Sequence, residues 1–110
     1  MTLNVSVMPL SGVFDGTQAA TFRENIRQFL ESGTDVILLD CQELGFMDSS
    51  GLGALISGLK MVRAAGKQLQ LCAVNKQVGM LLDLTDTRRV FKIFDDRSAF
   101  DQALADDFAS

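Results

Sequence analysis

The chain has 110 residues, carries 10 Lys and Arg against 14 Asp and Glu for a net charge of −4, and contains no histidine. Apolar residues at 47% and charged residues at 22% match a folded globular domain rather than a disordered chain, and the length suits one domain, residues 1–110. Without histidine, a Ser-His-Asp triad, a Cys-His pair and a His-ligated zinc site are all excluded.

Apolar runs and helical patterns alternate along the chain. Val5, Val7 and Met8–Leu10 predict a first strand, with Pro9 marking an edge or a bulge. Asp15-Gly16-Thr17 reads as a turn with a helix cap. Ala19, Phe22, Ile26, Phe29 and Leu30 then recur at helical spacing until Gly33. Val36–Leu39 is a continuous apolar run, as in a strand buried on both faces. Asp40 to Asp48 reads as a loop. A second helix follows over about 50–65, with a core stripe of Leu52, Leu55, Ile56, Leu59 and Val62, and Gly66 ends it. Lys67–Val74 predicts a third strand, Asn75 a cap for a short helix carrying Val78, Leu81 and Leu82, and Val90–Phe94 a fourth strand. Phe100, Leu104 and Phe108 give a last helix at i, i+4, i+8. Strand and helix alternating four times imply a layered α/β domain with a largely parallel sheet.

Cys41 and Cys72 lie in or beside strand-like runs and have no metal-ligand spacing, so they read as reduced, structural residues. Such usage suits a reducing compartment, and the expected location is the cytoplasm. Met1–Leu10 lacks the layout of a signal peptide, and no apolar stretch is long enough to span a bilayer. Charge is segmented. Residues 1–47 carry net −4, residues 48–94 net +4 and the tail from Asp95 net −4. The bases of the middle segment are scattered and no Tyr or Trp accompanies them, which argues against nucleic-acid binding. Arg88, Arg89 and Lys92 read as a solvated basic surface. Asp95, Asp96, Asp106 and Asp107 read as solubilising and helix-start charges.

One segment departs from what a plain α/β domain needs: Met47-Asp48-Ser49-Ser50-Gly51-Leu52-Gly53. It opens a helix at the strand-end edge, where open α/β sheets place their sites. One cap residue suffices for a helix start, yet Asp48, Ser49 and Ser50 are three in a row. Gly51 and Gly53 each weaken the first turns by about 1 kcal/mol relative to alanine, which suits a backbone that something must approach closely. The structural alternative is that these residues only cap the helix and let it pack on the sheet. The spacing is neither a phosphate loop nor a nucleophile elbow. A serine hydroxyl here would nevertheless accept a phosphate well, because a helix N-terminus supplies amides and a positive dipole end.

The run Asp40-Cys41-Gln42-Glu43-Leu44-Gly45-Phe46-Met47-Asp48-Ser49-Ser50-Gly51-Leu52-Gly53 resembles the STAS domains of bacterial anti-sigma factor antagonists. Leu10-Ser11-Gly12-Val13-Phe14-Asp15, Ala64-Ala65-Gly66-Lys67 through Val74, and Leu81 to Phe94 extend the likeness over nearly the whole chain. The resemblance implies a mixed, mostly parallel four-stranded sheet packed with about four helices. It also implies a non-catalytic protein without cofactor or metal, in which Ser49 is phosphorylated, with Ser50 the adjacent alternative. The implied partners are an ATP-dependent serine kinase that is itself an anti-sigma factor, bound only by the unphosphorylated form, and a PP2C-type phosphatase. Asp15 matches a family position near the partner surface, and Asp48 matches the residue before the phosphoserine. The chain departs from the family in its short N-terminus and at Thr85-Asp86-Thr87, where many members read Thr-Gly-Leu.

The expected switch is a monomer whose second helix presents Gly53, Ala54, Ser57, Gly58 and Met61 beside Asp48, Ser49, Ser50 and Gly51. Small residues let a partner backbone come close, and Met61 offers an adaptable apolar contact. The same face could instead pack on a neighbouring helix of the domain. Three other functions compete. Val36–Asp40 resembles the aspartyl-phosphate strand of a receiver domain, with Asp40 as acceptor, although the carboxylates for magnesium are missing. An enzyme using Ser49 or Cys72 as nucleophile would lack a base. A STAS subunit of a lipid-transport or stressosome-like assembly, or a small-ligand binder, would keep the fold and change the task.

Overall fold

The computed structural model describes residues 3–109, with side chains described to Asp106. Four strands, β1 (Val5–Phe14), β2 (Val36–Met47), β3 (Gln68–Cys72) and β4 (Lys92–Phe94), form one sheet in the order β1-β2-β3-β4. Every pairing is parallel, so the sheet is uniform rather than mixed. The helices are α1 (Ala19–Glu31), α2 (Ser49–Ala64), α3 (Lys76–Leu84) and α4 (Arg97–Ala109). Short 3-10 turns lie at Gly16–Gln18 and Arg88–Val90.

Sequential parallel strands linked by crossovers of one hand put all the intervening helices on one face. The core divides accordingly. Phe22 and Ile26 of α1, Leu52, Leu55, Leu59 and Val62 of α2, and Val78 and Leu82 of α3 pack with Ile37, Leu39, Cys41 and Leu71 on one face. On the other face Phe100 of α4 packs with Val36, Leu38 and Cys72. Its ring meets that of Phe94 edge-on at 5.4 Å. Leu38 and Leu39 are both fully buried, which explains the unbroken apolar run of β2: a strand covered on both faces has no polar side to show. Phe108 belongs to the side chains outside those described.

Three expectations change. The stretch from Asp40 to Asp48 is not a loop, because β2 runs on to Met47 while β1 runs on to Phe14 beside it. Register shifts fall between Pro9 and Ser11 and between Gly12 and Val13, so Pro9 marks a bulge on an edge strand as expected. The fourth strand is only three residues long, since Arg88–Val90 forms a 3-10 turn. Asp40 lies within β2 opposite Pro9 and Cys72 rather than at its carboxyl end, where an aspartyl-phosphate acceptor would have to be. At the departure from the family pattern, Asp86 adopts φ +56°, the left-handed conformation that a glycine would take. The turn geometry therefore survives, with the Thr87 amide donating to the Leu82 carbonyl at 2.9 Å.

Candidate functional site at the carboxyl ends of β1 and β2

Because β1 and β2 are parallel and Phe14 stands opposite Met47, the next residues, Asp15 and Asp48, leave the sheet side by side. Phe14 and Met47 are buried and anchor both exits in the core. Phe14 also meets the Phe22 ring edge-on at 5.2 Å, which ties α1 to the same corner. The Asp48 amide donates to the Phe14 carbonyl at 3.4 Å, joining the two exits directly.

Each aspartate then caps a helical turn. Asp15 is extended, and its Oδ1 accepts from the Thr17 amide at 2.9 Å and from the Thr17 hydroxyl at 2.5 Å. Gln18 Oε1 accepts from the Asp15 amide at 2.8 Å and completes a capping box. The Thr17 hydroxyl, then its amide, hold the Asp15 carboxyl below its ordinary range. Asp48 is also extended, at φ −102° and ψ −178°, and its Oδ1 accepts from the Gly51 amide at 2.8 Å. One orphan donor of α2 is thereby satisfied.

Ser49 and Ser50 occupy the first turn of α2, and both are exposed. They are not equivalent. A Cβ placed on Gly16 would lie 3.3 Å from Ser50 Cβ, so Ser50 sits against the turn that follows Asp15. Gly53, one turn on, is exposed, with nothing within 4 Å of where its Cβ would be.

Gly51, Ala54 and Gly58 face inward, so for these three the alternative of packing within the domain holds instead of presentation on the surface. A Cβ on Gly51 would fall 2.0 Å from the Phe14 carbonyl oxygen, so the close approach this glycine permits is that of β1. A Cβ on Gly58 would fall 2.7 Å from Cε2 of Phe22, so Gly58 lets α1 and α2 meet. Ala54 is buried in the main core. Ser57 is half-buried, and Met61 is half-buried against that core. The accessible part of the sequence-derived set is Ser49, Ser50 and Gly53, with Asp15, Asp48, Ser57 and Met61 partly accessible.

Sequence reasoning missed an apolar pair at the same corner. Val13 and Phe46 stand opposite each other in register, at 50% and 47% exposure. Alternation supplied the signal: each precedes a buried anchor, Phe14 or Met47, and so points to the opposite face. It also missed how β2 is held beyond the end of β3. Asn75 caps α3 by accepting from the Val78 amide at 2.9 Å, and its Nδ2 donates to the Leu44 and Gly45 carbonyls at 3.0 and 3.1 Å.

Cys41 and Cys72 are free, buried and weakly acidic. Burial above all, with Cys72 and Asp40 nearby, pushes the Cys41 thiol up to about 12; burial and then Asp40 push Cys72 up to about 11. A reactive thiol requires the opposite shift. Among the described residues, no group of three or more His, Cys, Asp or Glu could hold a metal ion, and no helix is long and apolar enough to cross a membrane.

Comparison with known proteins gives a consistent result. Residues 2–99 match the STAS domain. An anti-sigma F factor antagonist of Paenibacillus polymyxa is 30% identical over 92 residues, covering 83% of this chain and 79% of that one. An anti-sigma-B factor antagonist of Bacillus subtilis is 28% identical over 101 residues, covering 84% and 92%. Among solved structures, the anti-sigma factor antagonist SpoIIAA of Bacillus in its unphosphorylated form superposes with a TM-score of 0.76 at 20% identity, covering 94% of this chain and 91% of that one. Its phosphorylated form gives 0.69 at 19%, covering 93% of each chain. At these identities the two structures speak for the fold alone.

Proposed function

The chain belongs to the STAS domain family, and on that premise we propose that it is an anti-sigma factor antagonist switched by phosphorylation of Ser49. The observation that carries the proposal is the exposed Ser49 at the first turn of α2, directly after the Asp48 cap and, unlike Ser50, not set against Gly16 of the Asp15 turn. The unphosphorylated chain binds an anti-sigma factor through Asp15, Asp48, Ser49, Ser50 and Gly53, with Ser57 and Met61 at the margin. That partner is an ATP-dependent serine kinase, and a PP2C-type phosphatase reverses its action. The curated relatives, both anti-sigma factor antagonists, support the choice of partner class.

The chemistry of the corner explains how such a switch would act. A phosphate on Ser49 adds a charge of about −1.5 to −2 where the α2 amides and dipole tolerate it, so the fold is little affected. The same charge is added directly after Asp48, at the corner where Asp15 also leaves the sheet, and neither the α2 start nor the Asp15 turn carries a basic side chain to neutralise it. A partner surface that suits two carboxylates must then desolvate a third anion. Losing two to three orders of magnitude in affinity requires only about 3–4 kcal/mol, within the cost of an unpaired interfacial charge.

The test is affinity capture from the native host with wild type and Ser49→Asp as baits, followed by calorimetry on the partner recovered. Wild type is expected to retain an ATP-binding serine kinase that Ser49→Asp loses while remaining folded. Equal affinity for both baits would reduce Ser49 to a first-turn residue and favour a STAS subunit that no kinase switches.

A further inference from the structure

Between Asp40 and Met47, β2 has β1 on one side only, since β3 pairs with it no further than Cys72 opposite Asp40. A strand edge left open inside a domain leaves amides and carbonyls that need partners. Two side chains at the start of α3 supply them. Asn75 covers the Leu44 and Gly45 carbonyls. Gln77 takes Met47 at both backbone groups: its Oε1 accepts from the Met47 amide at 2.9 Å and its Nε2 donates to the Met47 carbonyl at 2.8 Å. A primary amide matched to donor and acceptor of one residue imitates a neighbouring strand, and only one orientation of the amide satisfies both bonds.

Met47 precedes the Asp48 cap, and Ser49 follows directly. We infer that Gln77 is a positioning residue for Ser49: by holding the last residue of β2 at both backbone groups, it sets where Asp48 and the first amides of α2 stand. The inference rests on Ser49 being the regulated hydroxyl, and it makes the orientation of that hydroxyl depend on a residue of α3. The outer face of the same helix is open, with Met80 at 54% and Leu84 at 82% exposure, so the helix is free to be substituted there without touching the clamp.

The test uses the whole chain and a small reagent. In a Ser49→Cys background the introduced thiol sits at the α2 N-terminus, where amides and dipole favour its thiolate, while Cys41 and Cys72 stay buried and unreactive. Alkylation by iodoacetamide is followed against pH, and amide exchange at Met47 is followed by NMR in the chain with Ser49 intact. Adding Gln77→Ala is expected to raise the pH midpoint of alkylation by roughly half to one unit, because the thiol loses its alignment with the helix start. The Met47 amide should exchange on the order of ten times faster once its acceptor is gone. Met80→Ala should change neither readout.

A folded Gln77→Ala protein whose alkylation midpoint is unchanged would overturn the inference, whatever the Met47 amide does. If Gln77→Ala does not fold, Gln77→Met replaces it. The thioether keeps the length and neutrality of the side chain but makes neither bond to Met47, so the alkylation midpoint should rise as for Gln77→Ala. An unmoved midpoint there would also overturn it. Neither readout involves the anti-sigma factor, so failure of the clamp leaves the Ser49→Asp comparison standing, and failure of that comparison leaves the clamp readouts standing.

Discussion

Helices α2 and α3 begin alike and are finished differently. Each follows a strand, each has an extended Asx cap, and each cap accepts from the amide three residues on, Asp48 from Gly51 and Asn75 from Val78. At α3 the cap also donates to two carbonyls of β2, and Gln77 grips a third residue. At α2 the residues after the cap, Ser49 and Ser50, stay exposed. The contrast separates support from display: the polar side chains of one helix start complete the sheet, and those of the other are left on the surface.

The largest effect that would break this contrast belongs to Gly51, which joins the displayed turn to β1. Gly51→Ala pushes a methyl against the Phe14 carbonyl, which is backbone and cannot rotate away; a loss of about 3 kcal/mol or more is expected in thermal or denaturant unfolding. Asn75→Ala removes the α3 cap and uncovers two β2 carbonyls, for an expected loss of about 2–3 kcal/mol by denaturant titration. Asp48→Ala removes a cap alone and should destabilise by about 1 kcal/mol. Equal values for these two would erase the distinction between the helix starts. Gly53→Ala should raise stability by up to about 1 kcal/mol, since its Cβ meets nothing, so any loss of partner binding in that variant would be a surface effect.

A pH series sharpens the picture at lower amplitude. Asp15, held low by Thr17, and Asp35, held low by the Asn4 amide and then Lys67, have folded-state values below their unfolded ones. Their stabilisation is complete above the ordinary carboxyl range near 3.8 and is lost as pH falls through the lower folded values. The two thiols act in the opposite sense: their contribution is complete below the ordinary value of 9.0 and is lost as pH rises towards about 12 for Cys41 and about 11 for Cys72. Unfolding midpoints measured across pH should fall on both sides, and Cys41→Ala should blunt the alkaline side.

Much of this was legible in the sequence because local pattern and tertiary role agree. The α2 stripe of Leu52, Leu55, Leu59 and Val62 is the buried face, and the Asp15 turn is a cap, as its residues suggest. The serine-bearing turn stood out through an excess of capping residues, and its neighbour Asp15 entered through family resemblance. The continuation of β2 was illegible because Asp40 to Gly45 is polar and glycine-bearing, and its free edge is satisfied from Asn75 and Gln77, some thirty positions on. The inward turn of Gly51, Ala54 and Gly58 was equally hidden. A small residue looks the same in sequence whether a partner or the domain's own β1 and α1 comes close to it.

The strand order β1-β2-β3-β4 bears on how the chain acquires this corner during synthesis. Each strand adds to the edge left by the one before, so none must wait to be inserted between two others, and pairing can follow the chain as it leaves the ribosome. The serine turn, however, is emitted well before Gln77. A nascent chain that has reached β3 therefore already carries Ser49 but not the residue that steadies the strand leading to it, and the site becomes complete only when α3 has been made.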